Sequence, residues 1–278
     1  MGWSRFVSSA LLACAFLAPA EAGDGAGAED KSKYWLLEPT PRRLWRPLSA
    51  DRPDVTESPY TVDAGAFQLE ASFFEWSRNG DAEDFAAAPF NFKIGLTNDI
   101  DLQLILQPWV RQDDGAEIER GMGDTQVRLK VNLHGNDEGD WALAFMPYLD
   151  LPTASSDLDQ PDHLEGGLIF PFATELSEGV GLGLMFQTDF VFDEADDAYD
   201  TEFVGTASVG VDLTEILGAY LEGVVIESTD PDTDFRSLVS SGITLALGEN
   251  MVFDAGGAAR LAGDADDLRV FSGITWRF

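Results

Sequence analysis

A two-residue alternation of apolar and polar side chains recurs along most of this 278-residue chain and strongly limits what it can fold into. The alternation is clearest at 100–107, at 125–133 and in the last segment, 268–278. Successive side chains of a β-strand point to opposite faces, so each of these segments has one apolar face and one more polar face. The pattern therefore predicts an all-β chain.

The alternation defines twelve candidate strands, which are longer than the roughly five or six residues typical of soluble proteins. They cover 66–77, 85–96, 100–111, 124–134, 140–150, 163–174, 180–192, 200–212, 216–227, 234–247, 251–261 and 267–278. Transmembrane β-strands need about 9–11 residues, and bacterial barrels have an even number of strands. We therefore predict a transmembrane antiparallel up-and-down β-barrel over 65–278. A soluble β-sandwich would show the same alternation, but the strand lengths and the final Phe278 favour the barrel.

The predicted connections alternate in length. Tight turns such as 97–99, 213–215 and 248–250 alternate with longer, mostly acidic connections. The longer ones are 78–84, 112–123, 151–162, 193–199, 228–233 and 262–266. Outer-membrane barrels have short periplasmic turns and longer extracellular loops. With both termini in the periplasm, the acidic loops are expected outside the cell.

The first 22 residues predict a cleaved secretory signal peptide. Arg5 is followed by an apolar run over 6–17 and by an Ala-x-Ala-type cleavage site at 20–22. The alternative is a lipoprotein cleavage box ending at Cys14, the only cysteine of the sequence. After this signal no apolar stretch reaches the 18 or so residues of a membrane-spanning helix. We therefore expect export to the outer membrane of a Gram-negative bacterium.

The polar faces of the strands should line the barrel lumen, because an Arg or Lys facing lipid at mid-depth costs about 2–4 kcal/mol. Aromatic residues near strand ends, including Trp76, Trp109, Trp141, Tyr148 and Trp276, are predicted to form interfacial girdles. The lumen-lining candidates are Glu70, Lys93, Asp101, Gln103, Gln126, Arg128, Lys130, Asp189 and Arg269.

The N-terminal segment, residues 23–64, does not alternate. It is rich in proline and is locally basic between 31 and 60, in a chain whose formal net charge is −33. One hypothesis places part of it in the periplasmic mouth or the lumen as a plug, with its arginines paired to Glu70, Asp101 or Asp189. The alternative is a flexible periplasmic tail.

The sequence Asp-Arg-Pro-Asp at 51–54, followed by Phe-Gln-Leu-Glu at 67–70, resembles the opening of the bacterial family described as "Putative MetA-pathway of phenol degradation". A further matching element is Gly-Met-Gly-Asp at 121–124, and the similarity covers about 49–278. The resemblance implies an outer-membrane protein linked with the uptake of aromatic or other apolar compounds. It supplies no binding residues. From their chemistry, Asp51, Arg52 and Asp54 are expected to dock the segment on the barrel wall, with direct solute binding as the alternative.

Several classes of function find little support in the composition. The strongly acidic charge excludes a nucleic-acid binder. The mature chain lacks a thiol, and its two histidines, His134 and His163, lie at strand ends outside any serine-nucleophile motif. We therefore predict no catalytic residue, no cofactor and no built metal site. The acidic loops are expected to bind at most a divalent cation weakly, bridging to lipopolysaccharide, and solvated surface is the alternative.

Three functional hypotheses remain. The first is a channel or facilitator for small, apolar or aromatic solutes, which cross by passive diffusion through the barrel. The second is a structural or adhesive barrel with a filled lumen, and the third, an outer-membrane enzyme, has the least support. The expected partners are membrane lipid and lipopolysaccharide, a small-molecule solute and the barrel assembly machinery. The alternating last strand with Trp276 and Phe278 is the expected assembly signal.

Overall fold

The computed structural model of the chain describes residues 30–158, 160, 162–195 and 197–278. The predicted signal peptide lies outside the described residues. Fifteen strand pieces form one sheet, in which three pairs of consecutive pieces continue one another, giving twelve barrel strands. They are β1 (Phe67–Asn79), β2 (Ala82–Ala87 and Phe90–Gly95), β3 (Ile100–Leu106 and Trp109–Asp113), β4 (Ile118–Gly121 and Thr125–His134), β5 (Trp141–Leu151), β6 (Glu165–Ser177), β7 (Val180–Asp193), β8 (Ala198–Asp212), β9 (Leu217–Ser228), β10 (Arg236–Ala246), β11 (Met251–Ala262) and β12 (Leu268–Arg277).

The sheet closes on itself through its last and first strands. Each strand pairs antiparallel with its neighbours in chain order, and β12 pairs with β1 from Gln68↔Arg277 to Arg78↔Leu268. At the periplasmic end Phe278 N donates to Phe67 O over 2.9 Å, and Phe67 N returns a bond of 3.0 Å to Phe278 O. Closure leaves no free sheet edge. The predicted twelve-stranded up-and-down barrel is confirmed, and the sandwich alternative is excluded.

The barrel wall is apolar outside and polar inside, which is the reverse of a soluble protein. Phe186 on β7 and Trp276 on β12 are 50% and 44% exposed, whereas Lys130 on β4 is fully buried. One predicted girdle residue was wrong: Tyr148 points inward, where its hydroxyl donates to Asp189. Tyr148 is two residues after the inward-facing Met146 on β5, and residues two apart on a strand point to the same face.

The strands extend further on the extracellular side than the alternation indicates. The predicted connection 78–84 is reduced to the turn between Asn79 and Ala82, and 112–123 to the turn around Asp114. Beyond the membrane both faces of a strand meet water, so a strand can continue without an apolar face. The N–H groups of Glu117 and Ala116 donate to the exposed Asp114 carboxylate and lower its pKa. The longest connection with described residues runs from Leu151 to Glu165.

Four adjacent strands are irregular at one level of the wall. β2, β3 and β4 are interrupted around Ala88, Pro108 and Gly123, and the β1–β12 pairing shifts register at Phe73. The strands keep their mutual register on both sides, as shown by the pairs Ala87↔Trp109 and Phe90↔Leu106 between β2 and β3. The interruptions therefore face one another across the sheet. We call this row (Phe73, Ala88, Pro108 and Gly123) the crease.

Helices contribute little to the described part of the chain. One short 3-10 helix, Arg42–Leu44, precedes the barrel at its periplasmic mouth. No described helix has the length and the apolar character that crossing a bilayer requires.

Candidate functional site in the barrel lumen

Residues 46–64, called here the inner segment, lie inside the barrel. Almost all of them are buried, and they hydrogen-bond to inward-facing side chains of β1, β2, β4, β8, β9 and β11. Because these strands surround the lumen, contacts to all of them require the segment to run within it. The sequence suits this path, since Pro53 and Pro59 favour an extended chain that cannot continue a helix.

Asp51 is the centre of the largest ionic cluster. Both of its carboxylate oxygens lie 2.8 Å from Lys130 Nζ, and Lys93 forms a second ion pair with it. Its own N–H donates to Glu70 over 2.9 Å, and Glu70 also pairs with Lys93. Ser58 N donates to Asp51 Oδ1 over 3.0 Å. Two acids and two lysines are thus buried together, with hydrogen bonds from the inner segment completing the cluster.

Arg52 extends the ionic side of the lumen to β11, across the closing strand β12. Its Nε and Nη2 atoms donate to the two carboxylate oxygens of Asp254 on β11, over 3.0 and 2.9 Å. This bidentate pair fixes the guanidinium in orientation as well as in position. The arginine fits because β12 has Gly273 here: a Cβ at that position would lie 2.4 Å from Arg52 Nη2.

Glu222 on β9 holds the next turn of the inner segment. It accepts hydrogen bonds from Val55 N at 3.0 Å, from Thr56 N at 2.8 Å and from Thr56 Oγ1 at 2.7 Å. Thr56 Oγ1 also lies 2.7 Å from Thr206 Oγ1 on β8, and Ser208 on the same strand donates to Asp54. One carboxylate therefore accepts hydrogen bonds from two backbone N–H groups of the inner segment.

Replacing Glu222 by alanine should destabilise the docked segment by about 1–3 kcal/mol, because it leaves the N–H groups of Val55 and Thr56 buried without an acceptor. Glu222→Gln keeps an acceptor oxygen and should retain most of the stability. The measurement is the unfolding midpoint of the refolded barrel, read from the heat-dependent shift of its band on a gel. Equal midpoints for the alanine and glutamine variants would contradict this role.

The inner segment is also fixed where it enters the lumen. Arg46 donates through Nη2 to the carbonyl oxygens of Asn98 at 2.8 Å and Thr61 at 3.1 Å. Asp101 on β3 accepts from Val62 N over 3.0 Å. The guanidinium of Arg277 on β12 lies 4.9 Å from the centre of the Trp45 ring. These contacts involve the turn between β2 and β3 and the last strand, so the segment is anchored on both sides of β1.

The predicted lumen residues are placed as follows. Arg269 differs from the others, because it is half-buried near the extracellular rim and pairs with Asp266. The remaining eight are buried on the inner face of the barrel: Glu70, Lys93, Asp101, Gln103, Gln126, Arg128, Lys130 and Asp189. Glu70 and Lys93 contact Asp51, as does Lys130, while Arg128 pairs with Glu57 of the inner segment.

The expected arginine pairs were wrong. Arg52 binds Asp254 rather than Glu70, Asp101 or Asp189, because those three acids already accept from Asp51 N, Val62 N and Tyr148. Asp254 and Glu222 were missed as lumen residues. Each is an acid on a strand whose other buried positions are apolar or aromatic, and this isolation was the available signal.

The lumen has a second, apolar surface that the sequence reading also missed. It lies on the inner faces of β5 to β10 and is called here the apolar wall. Val55 of the inner segment packs against it. Its buried members are Met146, Ile169, Met185, Val204, Val224, Ile226 and Leu238. The lumen is thus divided between an ionic side, centred on β1 to β4 and β11, and an apolar side.

The two histidines lie outside this lumen cluster. His134 packs on Trp141 with ring centres 4.0 Å apart, and His163 stacks on Phe192 at 3.6 Å. Among the described residues, no cluster of histidine, cysteine and acidic side chains has the arrangement of a metal site.

A family model described as "Putative MetA-pathway of phenol degradation" matches residues 50–278. The chain belongs to this family. The match begins within the inner segment and includes the whole barrel, so the contacts of Asp51, Arg52 and Glu222 lie inside the family's shared region. No sequence relative among curated proteins matches the chain.

Solved structures support the fold of this family member. An outer-membrane channel from Pseudomonas putida F1 superposes with a TM-score of 0.64 at 13% identity, covering 82% of this chain and 100% of that one. The NanC porin has a TM-score of 0.52 at 7% identity, with 76% and 98% covered. The KdgM porin in complex with disordered oligogalacturonate has 0.50 at 8%, with 77% and 99% covered. With its apolar outer face, the barrel belongs in the outer membrane of a Gram-negative bacterium.

Proposed function

We propose that this protein is an outer-membrane channel or facilitator that admits small apolar or aromatic solutes by passive diffusion through the barrel. The observation that carries this proposal is the apolar wall. The lumen of a general porin is polar and water-filled, whereas here seven apolar side chains on six adjacent strands are buried on the inner face. Such a surface attracts a solute that is poorly hydrated.

The energetics favour apolar over polar solutes at this surface. Burying apolar area contributes about 25 cal/mol per Å², so an aromatic ring on the apolar wall gains from contact that a sugar cannot make. A polar solute would instead lose hydrogen bonds to water without replacement. The wall therefore supports selection by hydration, which requires no specific binding residue.

The contacts of the inner segment indicate where a solute would pass. The segment's ion pairs tie it to β1, β2, β4 and β11. On β8 and β9 it is held instead by hydrogen bonds to Thr206, Ser208 and Glu222, and Val55 packs on the apolar wall. Apolar contacts are non-directional and can be exchanged for contacts to a solute. Passage between Val55 and the apolar wall would therefore break no ion pair of the segment.

A structural barrel with a filled lumen is the second candidate. It is favoured by the burial of Asp51, Lys93 and Lys130 in one cluster, because such a cluster holds the inner segment firmly. The channel predicts that substitutions on the apolar wall change solute uptake. The structural barrel predicts that the protein supports no solute uptake.

The double variant Ile169→Gln/Ile226→Gln should lower uptake of N-phenyl-1-naphthylamine by about tenfold, since polar amides remove the advantage of an apolar solute on the wall. Uptake is measured as fluorescence in cells that carry this barrel, against cells with an empty vector. Ile169→Met/Ile226→Met keeps the wall apolar and is the matched control, with uptake close to the unmodified chain. No uptake above the vector for the unmodified chain would favour the structural barrel instead.

A further inference from the structure

The crease leaves the junction between β2 and β3 with few backbone donors. Pro89 and Pro108 lie at this level, one on each strand, and proline has no N–H. In a regular antiparallel ladder, opposed residues exchange N–H···O bonds at every second position. Two donors are thus absent from the same short stretch of wall. Prolines are rare inside sheets for this reason.

At the crease, the backbone of β2 is hydrogen-bonded to β1, and the backbone of β3 is hydrogen-bonded to β4. Pro89 O accepts from Ser72 N of β1 at 2.9 Å, and Ala88 N donates to Phe73 O of β1 at 3.4 Å. On the other side, Gln107 O accepts from Gly123 N of β4 at 2.9 Å. Both strands are therefore bonded to their outer neighbours at this level, and the two missing proline donors leave the β2–β3 junction with fewer backbone hydrogen bonds than a regular ladder.

Apolar side chains lie on both faces of the wall here. Outside, Phe73 and Trp109 are exposed to the membrane. Inside, Ala86 of β2 and Val110 of β3 are buried beneath Leu158, which belongs to the connection between β5 and β6. A solute moving from the inner to the outer face would thus meet apolar groups on each side.

The connection that carries Leu158 is attached to the wall beside the crease. Asp124 Oδ1 accepts from Thr153 N at 2.7 Å and from Ala154 N at 2.8 Å, and Ser155 N donates to Met122 O at 2.8 Å. The Leu158 side chain packs on Ala86 and Val110, while its backbone is hydrogen-bonded to Ser155 and Gln160 of the same connection. The side chain therefore covers the inner side of the junction through apolar contacts, which an apolar solute can replace with its own.

We propose that the crease between β2 and β3 is a lateral portal, through which an apolar solute passes from the lumen into the hydrocarbon interior of the outer membrane. The solute displaces Leu158 and separates β2 from β3 locally. The two strands remain paired at their other edges, β2 with β1 and β3 with β4. A strand pair elsewhere in the wall would expose several unpaired N–H and C=O groups to lipid. The crease exposes fewer, because two of its donors do not exist. This inference rests on the proposed uptake of apolar solutes.

Disulfide cross-links across the junction test the portal. The cross-linked variants are Ala87→Cys/Trp109→Cys and Phe90→Cys/Leu106→Cys, whose residues are Cα partners on the two sides of the crease. Opposed residues of antiparallel strands lie about 4.5–5.5 Å apart, within the range that a disulfide spans. The only natural cysteine is Cys14, which lies in the predicted signal peptide. A cross-link between Ile243→Cys and Ala255→Cys, Cα partners on β10 and β11, is the matched control.

Uptake of N-phenyl-1-naphthylamine is compared in oxidised and reduced cells, together with swelling of proteoliposomes in arabinose as the measure of the axial path. The portal predicts that oxidation lowers dye uptake by about tenfold in both crease variants, that reduction restores it, and that the control cross-link has no effect. Arabinose swelling should not change. Equal dye uptake in oxidised and reduced crease variants overturns the portal and leaves the proposed function standing. Dye uptake by the unmodified chain no higher than by an empty vector overturns both.

Discussion

Replacing Asp51 by asparagine is expected to release the inner segment from the lumen. The substitution keeps the shape of the side chain but leaves Lys93 and Lys130 buried with one carboxylate fewer, and removing one partner of a buried ion pair costs about 3–5 kcal/mol. The barrel itself is held by its own ladder, so the cost falls on the docked segment. Endoproteinase Glu-C, which cuts after glutamate, should then cleave the Glu57-Ser58 bond in outer-membrane vesicles opened to the enzyme, and single-channel conductance should rise.

Two further variants isolate the cause of that release. Glu38→Gln removes one negative charge from an exposed position of the same N-terminal region and should leave the segment protected. Adding Lys130→Met to Asp51→Asn removes one of the stranded cations, and should recover part of the protection, since apolar replacement of a buried pair is often neutral. Continued protection of the Glu57-Ser58 bond in the single Asp51→Asn variant would show that the ionic cluster does not hold the segment.

Deleting Phe278 is expected to have the second large effect, a loss of about nine-tenths of the correctly inserted barrel. Its backbone exchanges two hydrogen bonds with Phe67, and its ring lies 6.0 Å from that of Phe67 and 4.6 Å from that of Trp276. The deletion removes both the last bonds of the closing strand pair and the terminal aromatic of the assembly signal. Insertion is measured as the heat-modifiable, protease-resistant fraction in isolated outer membranes.

The conservative change Phe278→Tyr is the matched control for the deletion. It keeps the backbone bonds and the aromatic ring, so insertion should remain close to that of the unmodified chain. A normal amount of inserted protein after the deletion would refute the assembly role. Normal insertion with a lowered unfolding midpoint would assign Phe278 to strand closure alone.

The barrel could be predicted from sequence because its rule is local. Every second residue of a transmembrane strand faces lipid and must be apolar. The lipid-facing side of β7 and of β12 can therefore be identified from the residues of that strand alone. The same rule explains why Lys93 and Lys130 could be assigned to the lumen without a structure. It does not apply beyond the membrane, which is why the extracellular ends of β1 to β4 extend further than expected.

The pairs inside the lumen could not be predicted, because they join residues far apart in the chain. Arg52 and Asp254 are 202 positions apart, and nothing local indicates that each faces the other. The apolar wall was missed for a related reason. Ile169 and Val224 lie at inward positions of strands whose outward positions are also apolar, so alternation is weak there. The crease is visible only when the interruptions of four strands are aligned by register.

The positions of the inner segment's partners have a consequence for the order of biogenesis. Asp51 binds residues of β2 and β4, Thr56 binds Glu222 of β9, and Arg52 binds Asp254 of β11. The first part of the mature chain to be exported can thus complete its contacts only when the last strands have arrived. Protection of the Glu57-Ser58 bond from protease therefore marks the end of assembly. A chain stalled before β11 should remain open to cleavage there, however well its earlier strands have paired.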